Sequence, residues 1–400
     1  MRSIYYFKYE INKPELLNEI QKFHFLDAIQ YSSIRELEKK QDQYIYLSEN
    51  LPELSAEFIA KLKNHQNIIL FSIEEVKKLP YQRMVIEISG KCNALCKYCP
   101  TGVHNRKYGM SSHNAYMSPK DFIELINSLV SKKIITNDTV LDLYNWGEPL
   151  LNPNFGEIAA FLSQHHWEFT ISTNASIVPK NIKNRDLGGL TQLVISMPGF
   201  SEYSYKHIYG FDFSKIKENI TTLIALFRQS GFKGQILFLF HVYQYNMNEI
   251  YPAKLFVENL GAKLYPCFAF PISIDMCIDY LQKTLDKALI YDMSKELFMF
   301  HIDKILKERP EDFYCGQAKL LTIDENRNLI LGCCVDKNSK YGSKNYSYNK
   351  IEAMNLVEIR NYKRQIFTSK ICKLCRDTHA DYCGSNCGKD SFIFMEGLKI

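Results

Sequence analysis

The chain has 400 residues, of which 46% are hydrophobic and 23% are charged, and its formal net charge is +5. This composition is typical of a soluble globular protein with room for two or three domains. The small and evenly spread charge argues against nucleic acid and anionic membranes as partners. No window approaches the roughly 18 uncharged apolar residues of a transmembrane helix. The opening MRSIYYFKYEINKPE lacks the apolar core of a signal peptide, so we expect a cytoplasmic protein with reduced thiols.

Residues 1–80 are predicted to form a small α/β domain of unknown role. The stretches SIYYFKYE, QYIYLSE and NIILFSI have the composition of strands. The stretches KPELLNEIQKF and LPELSAEFIAKLKNH have helical spacing of their apolar residues. Pro80 ends this region, in which we find no motif that points to chemistry.

Residues 81–270 repeat a strand–helix alternation about six times. The predicted strands are RMVIEIS, TVLDLYNWG, WEFTISTN, LTQLVISMP, GQILFLFHV and AKLYPCF. Their apolar runs fit strands that are buried on both faces. The alternation predicts a parallel sheet wrapped by helices, in the form of a partial (β/α)6 TIM-like barrel.

The candidate functional residues of this region follow or end its strands. In barrels of this kind the chemistry lies at the carboxyl ends of the strands. Four residues occupy such positions: Cys92, Gly147, Asn174 and Ser196. Residues 271–308 are predicted to form a mainly helical bridge, and residues 309–400 are short, turn-rich segments punctuated by cysteines.

Cysteine is the most informative residue type, because ten of the 12 cysteines fall into two clusters. The first cluster is Cys92, Cys96 and Cys99, and the second is Cys315, Cys333, Cys334, Cys372, Cys375, Cys383 and Cys387. In a reducing compartment such spacings favour metal or iron–sulfur ligation over disulfides. Cys267 and Cys277 stand apart and are expected to be buried thiols without a functional role.

The first cluster lies in KCNALCKYCP. Three thiolates on one loop can bind three corners of a 4Fe–4S cluster and leave one iron open to a small molecule. The alternative is a zinc site completed by His104 or His113, because a structural zinc needs four ligands. The CX3CX2C spacing resembles the signature of the radical S-adenosylmethionine (radical SAM) superfamily. That resemblance implies a cluster whose open iron binds S-adenosylmethionine (SAM) and cleaves it to a 5′-deoxyadenosyl radical that takes a hydrogen atom from the substrate.

Further segments resemble the SAM-binding motifs of that superfamily, in the same order along the chain. In NWGEPLLNP, Gly147, Glu148 and Pro149 match the GGEP motif that meets the methionine amino group, with Trp146 in place of the first glycine. The resemblance assigns the remaining SAM contacts to Tyr98 near the adenine, Ser172, Asn174, Ser196 and Asn246. A Gly-Glu-Pro turn or a polar residue at a strand end is individually common, so it is their shared order that supports the match.

The second cysteine cluster resembles the SPASM or twitch domains of radical SAM enzymes, which imply one or two auxiliary 4Fe–4S clusters. Two clusters need eight thiolates and seven are present, so we consider His379 or Asp381 as a further ligand. A single twitch-type cluster would instead use Cys315, Cys333, Cys372 and Cys375. A zinc ribbon formed by Cys372, Cys375, Cys383 and Cys387 is a third interpretation, because these spacings also suit zinc.

Together these features predict a radical SAM oxidoreductase whose auxiliary cluster accepts an electron during oxidation of a small molecule such as a sugar or aminocyclitol. Asp336 is a candidate general base for that oxidation, and the resemblance implies a flavodoxin or ferredoxin as electron donor. One alternative is a peptide-modifying radical SAM enzyme. Another, from a different class, is a non-catalytic zinc or iron–sulfur scaffold or redox sensor.

Overall fold

The computed structural model describes residues 3–7, 27–31, 45–48, 68–71, 80–110, 116–271, 273–299, 320–330, 347–367 and 370–377. In the N-terminal region it contains two pairs of parallel strands. They are β1 (Ser3–Phe7) with β2 (Asp27–Tyr31), and β3 (Ile45–Ser48) with β4 (Ile68–Phe71). Strands β1, β3 and β4 were predicted. Strand β2 was not, because Asp27 and Gln30 interrupt its apolar pattern. The two predicted helices of this region lie outside the described residues.

A nine-stranded sheet forms the centre of the molecule. Its strands are β5 (Tyr81–Ile86), β6 (Ile135–Asp142), β7 (Phe169–Thr173), β8 (Leu190–Met197), β9 (Gln235–Val242), β10 (Lys263–Phe268), β11 (Leu321–Ile323), β12 (Asn328–Ile330) and β13 (Ser347–Lys350). Strands β5 to β10 are the six predicted strands; they are parallel and adjacent in chain order. Helices lie in the chain between most of these neighbouring parallel strands.

The helices that accompany this sheet are α1 (Pro100–Tyr108), α2 (Pro119–Ser131), α3 (Phe155–Gln164), α4 (Glu202–Ile208), α5 (Phe213–Gln229) and α6 (Ile250–Asn259). Helix α2 begins as predicted, because the Ser118 hydroxyl accepts a hydrogen bond from the Asp121 N–H at 3.1 Å. Helices α1 and α4 were not predicted. Helix α1 is polar, PTGVHNRKY, and has no apolar stripe by which a sequence pattern could identify it.

The core lies between the sheet and these helices. Ile86, Leu141 and Phe238 are fully buried on the strands, and Phe122 and Leu125 are fully buried on α2. Burial of each such side chain contributes about 1.5–3 kcal/mol relative to exposure. This packing fixes the strands, and therefore the loops that leave their carboxyl ends.

The bridge and the C-terminal region continue from this sheet. The bridge contains α7 (Ile274–Leu281) and α8 (Lys287–Glu296), as predicted. Strand β11 pairs in parallel with β5, and β12 and β13 extend the sheet in antiparallel fashion. Two further helices, α9 (Leu356–Phe367) and α10 (Lys370–Asp377), occupy a region predicted to be turn-rich. Within the described ranges, no helix is long and apolar enough to cross a bilayer.

Candidate functional site

A cavity of about 190 Å³ opens at the carboxyl ends of the central strands. It brings together nine of the residues that the sequence singled out: Cys92, Cys96, Tyr98, Cys99, Gly147, Glu148, Ser172, Asn174 and Ser196. These residues come from the loops after β5 and β6 and from the ends of β7 and β8. Chain order and strand-end position therefore predicted a real spatial cluster.

The cysteine loop, defined as residues 91–99, is fixed by the helix that follows it. The Asn105 side chain on α1 donates hydrogen bonds to the carbonyl oxygens of Cys92, at 2.7 Å, and Ala94, at 3.1 Å. Gly102 lies so close that a Cβ there would be 2.3 Å from the carbonyl oxygen of Cys96. Helix α1 therefore packs directly against the cysteine loop and sets its curvature.

A second support comes from the segment that ends α4. Arg106 donates to the carbonyl oxygen of Leu95 within the loop and to that of Ile208, the latter at 3.0 Å. The Leu95 N–H donates to the carbonyl oxygen of Tyr209 at 3.0 Å. Because these bonds join distant parts of the chain, the position of the loop depends on the assembled barrel.

The three thiols of the loop are half-buried and line one cavity. Burial, followed by the nearby Glu148 carboxylate, raises the pKa of Cys92 to about 12. Burial and then the neighbouring Cys99 and Cys92 raise the pKa of Cys96 well above its ordinary value. Thiolates crowded together in this way need a positive centre to compensate their charge. The donor set therefore fits a metal centre.

The arrangement of the loop thiols suits a cluster better than one ion. Within the part of the chain that the structure describes, no group of three His, Cys, Asp or Glu side chains is placed to bind a single metal ion. The three cysteines instead line a common cavity. A 4Fe–4S cube needs thiolates spread around its corners, each on a separate iron. His104, the candidate zinc ligand that is described, packs its ring against Tyr108 with the ring centroids 5.1 Å apart.

Gly147 lies where the GEP turn, residues 147–149, crosses the cysteine loop. A Cβ at this position would be 1.6 Å from the carbonyl oxygen of Ser89. The N–H groups of Trp146 and Gly147 both donate to Glu87 Oε1 at 2.8 Å. Only glycine allows this close approach. Trp146 replaces the first glycine of the motif, and its backbone N–H makes the hydrogen bond to Glu87.

Glu148 holds the GEP turn to the end of β7. Its buried carboxylate accepts hydrogen bonds from the Thr173 hydroxyl at 2.7 Å and from the Asn174 N–H at 2.8 Å. Burial raises its pKa from 4.5 to about 7. Pro149 starts a 3-10 helix behind this residue and does not line the cavity.

Asn174 faces the cysteine loop. Its Nδ2 donates to Cys92 Sγ at 3.9 Å and to Asn93 Oδ1 at 3.2 Å. Its Oδ1 accepts from the Ser176 N–H at 2.9 Å. The side chain is thus oriented from both ends, with its donor beside one of the cavity thiols.

The wall of the cavity formed by Ser196, Tyr209 and His241 is polar but uncharged. Ser196 Oγ lies 2.9 Å from Tyr209 Oη and 3.0 Å from His241 Nε2. On the far side of the ring, His241 Nδ1 lies 3.7 Å from the buried Cys267 thiol. Burial lowers the pKa of His241 from 6.5 to about 4, so the imidazole is neutral near pH 7. Tyr209 was missed by the sequence reasoning because it follows the unpredicted helix α4.

Asn246 differs from the other predicted SAM contacts in its position. It is fully buried and does not line the cavity. Its Nδ2 donates to the carbonyl oxygens of Pro198 and His241 at 2.9 and 3.0 Å, and its Oδ1 accepts from the Tyr243 N–H at 2.8 Å. These three bonds fix the turn after β9, so its amide supports the wall that contains His241.

The C-terminal cysteines are described only in part. Cys372 and Cys375 lie three residues apart on α10, which places them on the same face of that helix. The other candidates of this region lie outside the described residues: Cys315, Cys333, Cys334, Asp336, His379, Asp381, Cys383 and Cys387. The same holds for His113.

Residues 86–252 match the family model described as the Radical SAM superfamily. This part of the chain, somewhat less than half of it, is therefore similar to a radical SAM domain. This match covers the cysteine loop, the GEP turn and the ends of β7, β8 and β9. It supports the superfamily resemblance of the sequence, and members of that superfamily use a 4Fe–4S cluster and SAM.

Several solved structures are similar to this chain, and the first of those described here shares its fold. The crystal structure of Streptococcus suis SuiB bound to S-adenosylmethionine matches 94% of this chain and 84% of its own, with 12% identity and a TM-score of 0.51. Native anSMEcpe with bound AdoMet matches 72% of this chain and 81% of its own, with 14% identity and a TM-score of 0.41. BtrN in complex with AdoMet and 2-DOIA matches 76% and 92%, with 14% identity and a TM-score of 0.38. No curated protein matches the chain.

Proposed function

We propose that this protein is a radical SAM enzyme that binds a 4Fe–4S cluster through Cys92, Cys96 and Cys99 and cleaves SAM reductively. The observation that carries this proposal is the convergence of the cysteine loop, the GEP turn and the polar strand ends on one cavity within the radical SAM domain. A zinc or iron–sulfur scaffold has no need of a cavity lined by the GEP turn and the polar strand ends beside its metal. When bound and reduced, the cluster supplies the electron that converts SAM to methionine and the 5′-deoxyadenosyl radical.

Different residues of the cavity are assigned to the cluster and to the separate parts of SAM. The three thiolates hold the cluster and leave one iron open to SAM. The GEP turn presents backbone groups at Gly147, held in place by Glu87 and Glu148. Ser172, Asn174 and Ser196 supply polar groups for the methionine and ribose portions, and Tyr98 lies beside the adenine. The mostly aromatic and apolar remainder of the lining keeps water from the radical.

For the substrate we propose a small molecule, such as a sugar or aminocyclitol, that is oxidised with an auxiliary cluster as electron acceptor. Two features support this choice over a peptide. The described N-terminal strands form parallel pairs, whereas leader-binding winged-helix modules use antiparallel strands. The wall formed by Ser196, Tyr209 and His241 offers neutral hydrogen-bonding groups that suit hydroxyl-rich molecules. We propose Asp336 as the general base and the C-terminal cysteines as ligands of the auxiliary cluster. We propose a flavodoxin or ferredoxin as the electron donor.

The experiment that tests the activity is anaerobic. The reconstituted protein is mixed with SAM and a strong reductant, and 5′-deoxyadenosine is measured by chromatography. A variant with Cys92, Cys96 and Cys99 replaced by alanine should form none and should lose one cluster's worth of iron. The matched control is Cys277→Ser, because this buried thiol donates to the Pro271 carbonyl oxygen at 3.1 Å and serine preserves that bond. Cleavage by the triple variant, or zinc in place of iron, would refute the proposal.

The substrate class is tested by deuterium transfer. Sugars and aminocyclitols deuterated at carbon are each incubated with the active enzyme, beside a deuterated peptide. Deuterium in 5′-deoxyadenosine from a small molecule supports the proposal. Transfer from the peptide alone would favour the peptide-modifying alternative.

A further inference from the structure

A half-buried acidic residue from the bridge reaches the cysteine loop. Glu296, the last residue of α8, accepts a hydrogen bond from Tyr98 Oη at 2.7 Å through its Oε2. Its Oε1 accepts from Lys97 Nζ and lies 2.7 Å from His207 Nε2. Lys97 and Tyr98 are the two residues between Cys96 and Cys99. One carboxylate therefore holds both side chains between two of the candidate cluster ligands.

Glu296 is itself held firmly. The Gln244 N–H donates to the Glu296 carbonyl oxygen at 2.9 Å, and the Gln244 side chain donates to the Ser294 and Leu297 carbonyl oxygens. The end of α8 is thereby bound to the loop that follows β9. The Glu296 side chain is only 15% exposed, so its charge-assisted hydrogen bonds are partly shielded from water.

The contact extends to the cavity wall. The Tyr98 ring stacks on that of Tyr243 with centroids 6.4 Å apart, and Tyr243 stacks on Tyr245 at 5.4 Å. Both Tyr98 and Tyr243 line the cavity. The orientation of Tyr98 is thus set by its hydroxyl at Glu296 and by its ring at Tyr243. Loss of the hydroxyl contact leaves the stacked ring as the main side-chain constraint on this part of the loop.

We infer that Glu296 is a positioning residue for the SAM site, which acts by fixing Lys97 and Tyr98 and hence the segment between Cys96 and Cys99. This inference rests on the proposed SAM cleavage. It extends the functional site to the bridge, 197 positions beyond Cys99 in the chain. The carboxylate touches neither the cluster ligands nor the cavity, so its effect passes through the loop.

The test compares Glu296→Ala with Asp292→Asn. Asp292 lies one turn earlier on α8, and its exposed carboxylate pairs with Lys295 at 3.4 Å. We expect Glu296→Ala, which removes the acceptor for both Tyr98 and Lys97, to raise the KM for SAM by at least about tenfold, since the loss of one charge-assisted hydrogen bond alone corresponds to about that factor. The kcat at saturating SAM and the iron content should change much less. Glu296→Asp, which retains the charge, should recover part of the KM effect.

Two further measurements separate this role from a loss of folding. SAM can be titrated into the reduced protein and followed by its electron paramagnetic resonance spectrum. The SAM concentration at the midpoint of the spectral change should rise in parallel with KM. Tyr98→Phe should raise KM by itself and add little in the Glu296→Ala background, because the two changes remove the same contact. Equal KM values for Glu296→Ala and Asp292→Asn, or fully additive effects with Tyr98→Phe, would overturn the inference. Absence of 5′-deoxyadenosine from the wild type would instead refute the proposed function.

Discussion

Replacing His241 should change how the stability of the protein depends on pH. Burial holds the folded-state pKa near 4, against an ordinary value of 6.5. The neighbouring groups on β8 and β10, Ser196 and Cys267, are uncharged and do not compensate an imidazolium. As pH falls below 6.5 the unfolded chain gains a proton at this position and the folded chain does not, so stability is lost until about pH 4.

The magnitude follows from the two pKa values. Their difference of about 2.5 pH units, from 6.5 to about 4, corresponds to about 3 kcal/mol at about 1.4 kcal/mol per unit. His241→Gln removes the titrating group and retains a nitrogen near Ser196 Oγ. The free energy of unfolding of the variant should therefore fall less steeply between pH 6.5 and 4 than that of the wild type.

Urea unfolding followed by circular dichroism across this pH range measures the difference. The control is His165→Gln, because His165 is exposed on the protein surface. If the wild type and His241→Gln show parallel pH profiles, burial of a neutral imidazole is the wrong description of this wall. A wild-type pH profile that matches that of His165→Gln and diverges from that of His241→Gln would support burial of a neutral imidazole at this wall.

Three other substitutions test separate supports of the site. Gly147→Ala places a Cβ against the Ser89 carbonyl oxygen and should lower 5′-deoxyadenosine formation roughly a hundredfold, because a displacement of about 1 Å is enough for such a loss. Thr173→Val removes the hydroxyl that donates to the buried Glu148 carboxylate and should lower the free energy of unfolding by about 1–3 kcal/mol in urea. Asn105→Ala leaves the Cys92 and Ala94 carbonyl oxygens without this donor and should reduce the iron bound after reconstitution. The control is Thr221→Ala, at an exposed position of α5.

The parts of the site that were predicted from sequence are those encoded by local spacing. The six parallel strands have apolar runs that identify them as strands, although β8 and β9 alternate buried with half-buried positions, and the residues at their ends follow from chain order. CX3CX2C is a local pattern, as is the GEP turn. Asn246 was placed on the right loop, but its amide is used within the turn after β9. Sequence position alone does not distinguish a side chain that faces the cavity from one that faces away.

The parts that were missed depend on contacts between distant segments. Glu87 lies inside an apolar strand run, and a charge in that position is a signal that could have identified it as a partner of buried N–H groups. Glu296 offers no such signal, because an acidic residue at the end of a polar helix is indistinguishable from ordinary surface charge. Its role appears only when the fold brings it to Lys97 and Tyr98.

The supports of the cysteine loop share a chemical property that bears on how the site works. Asn105 and Arg106 bind the carbonyl oxygens of the loop, and Glu296 binds the side chains of Lys97 and Tyr98. These anchors do not use the sulfur atoms, so the shape of the loop can be set while the thiolates serve as ligands. A loop fixed in this way does not need the metal to fold it, unlike a zinc finger, whose ligands come together only on binding. The contacts of the protein would then set how the three thiolates face the GEP turn when they hold a cluster.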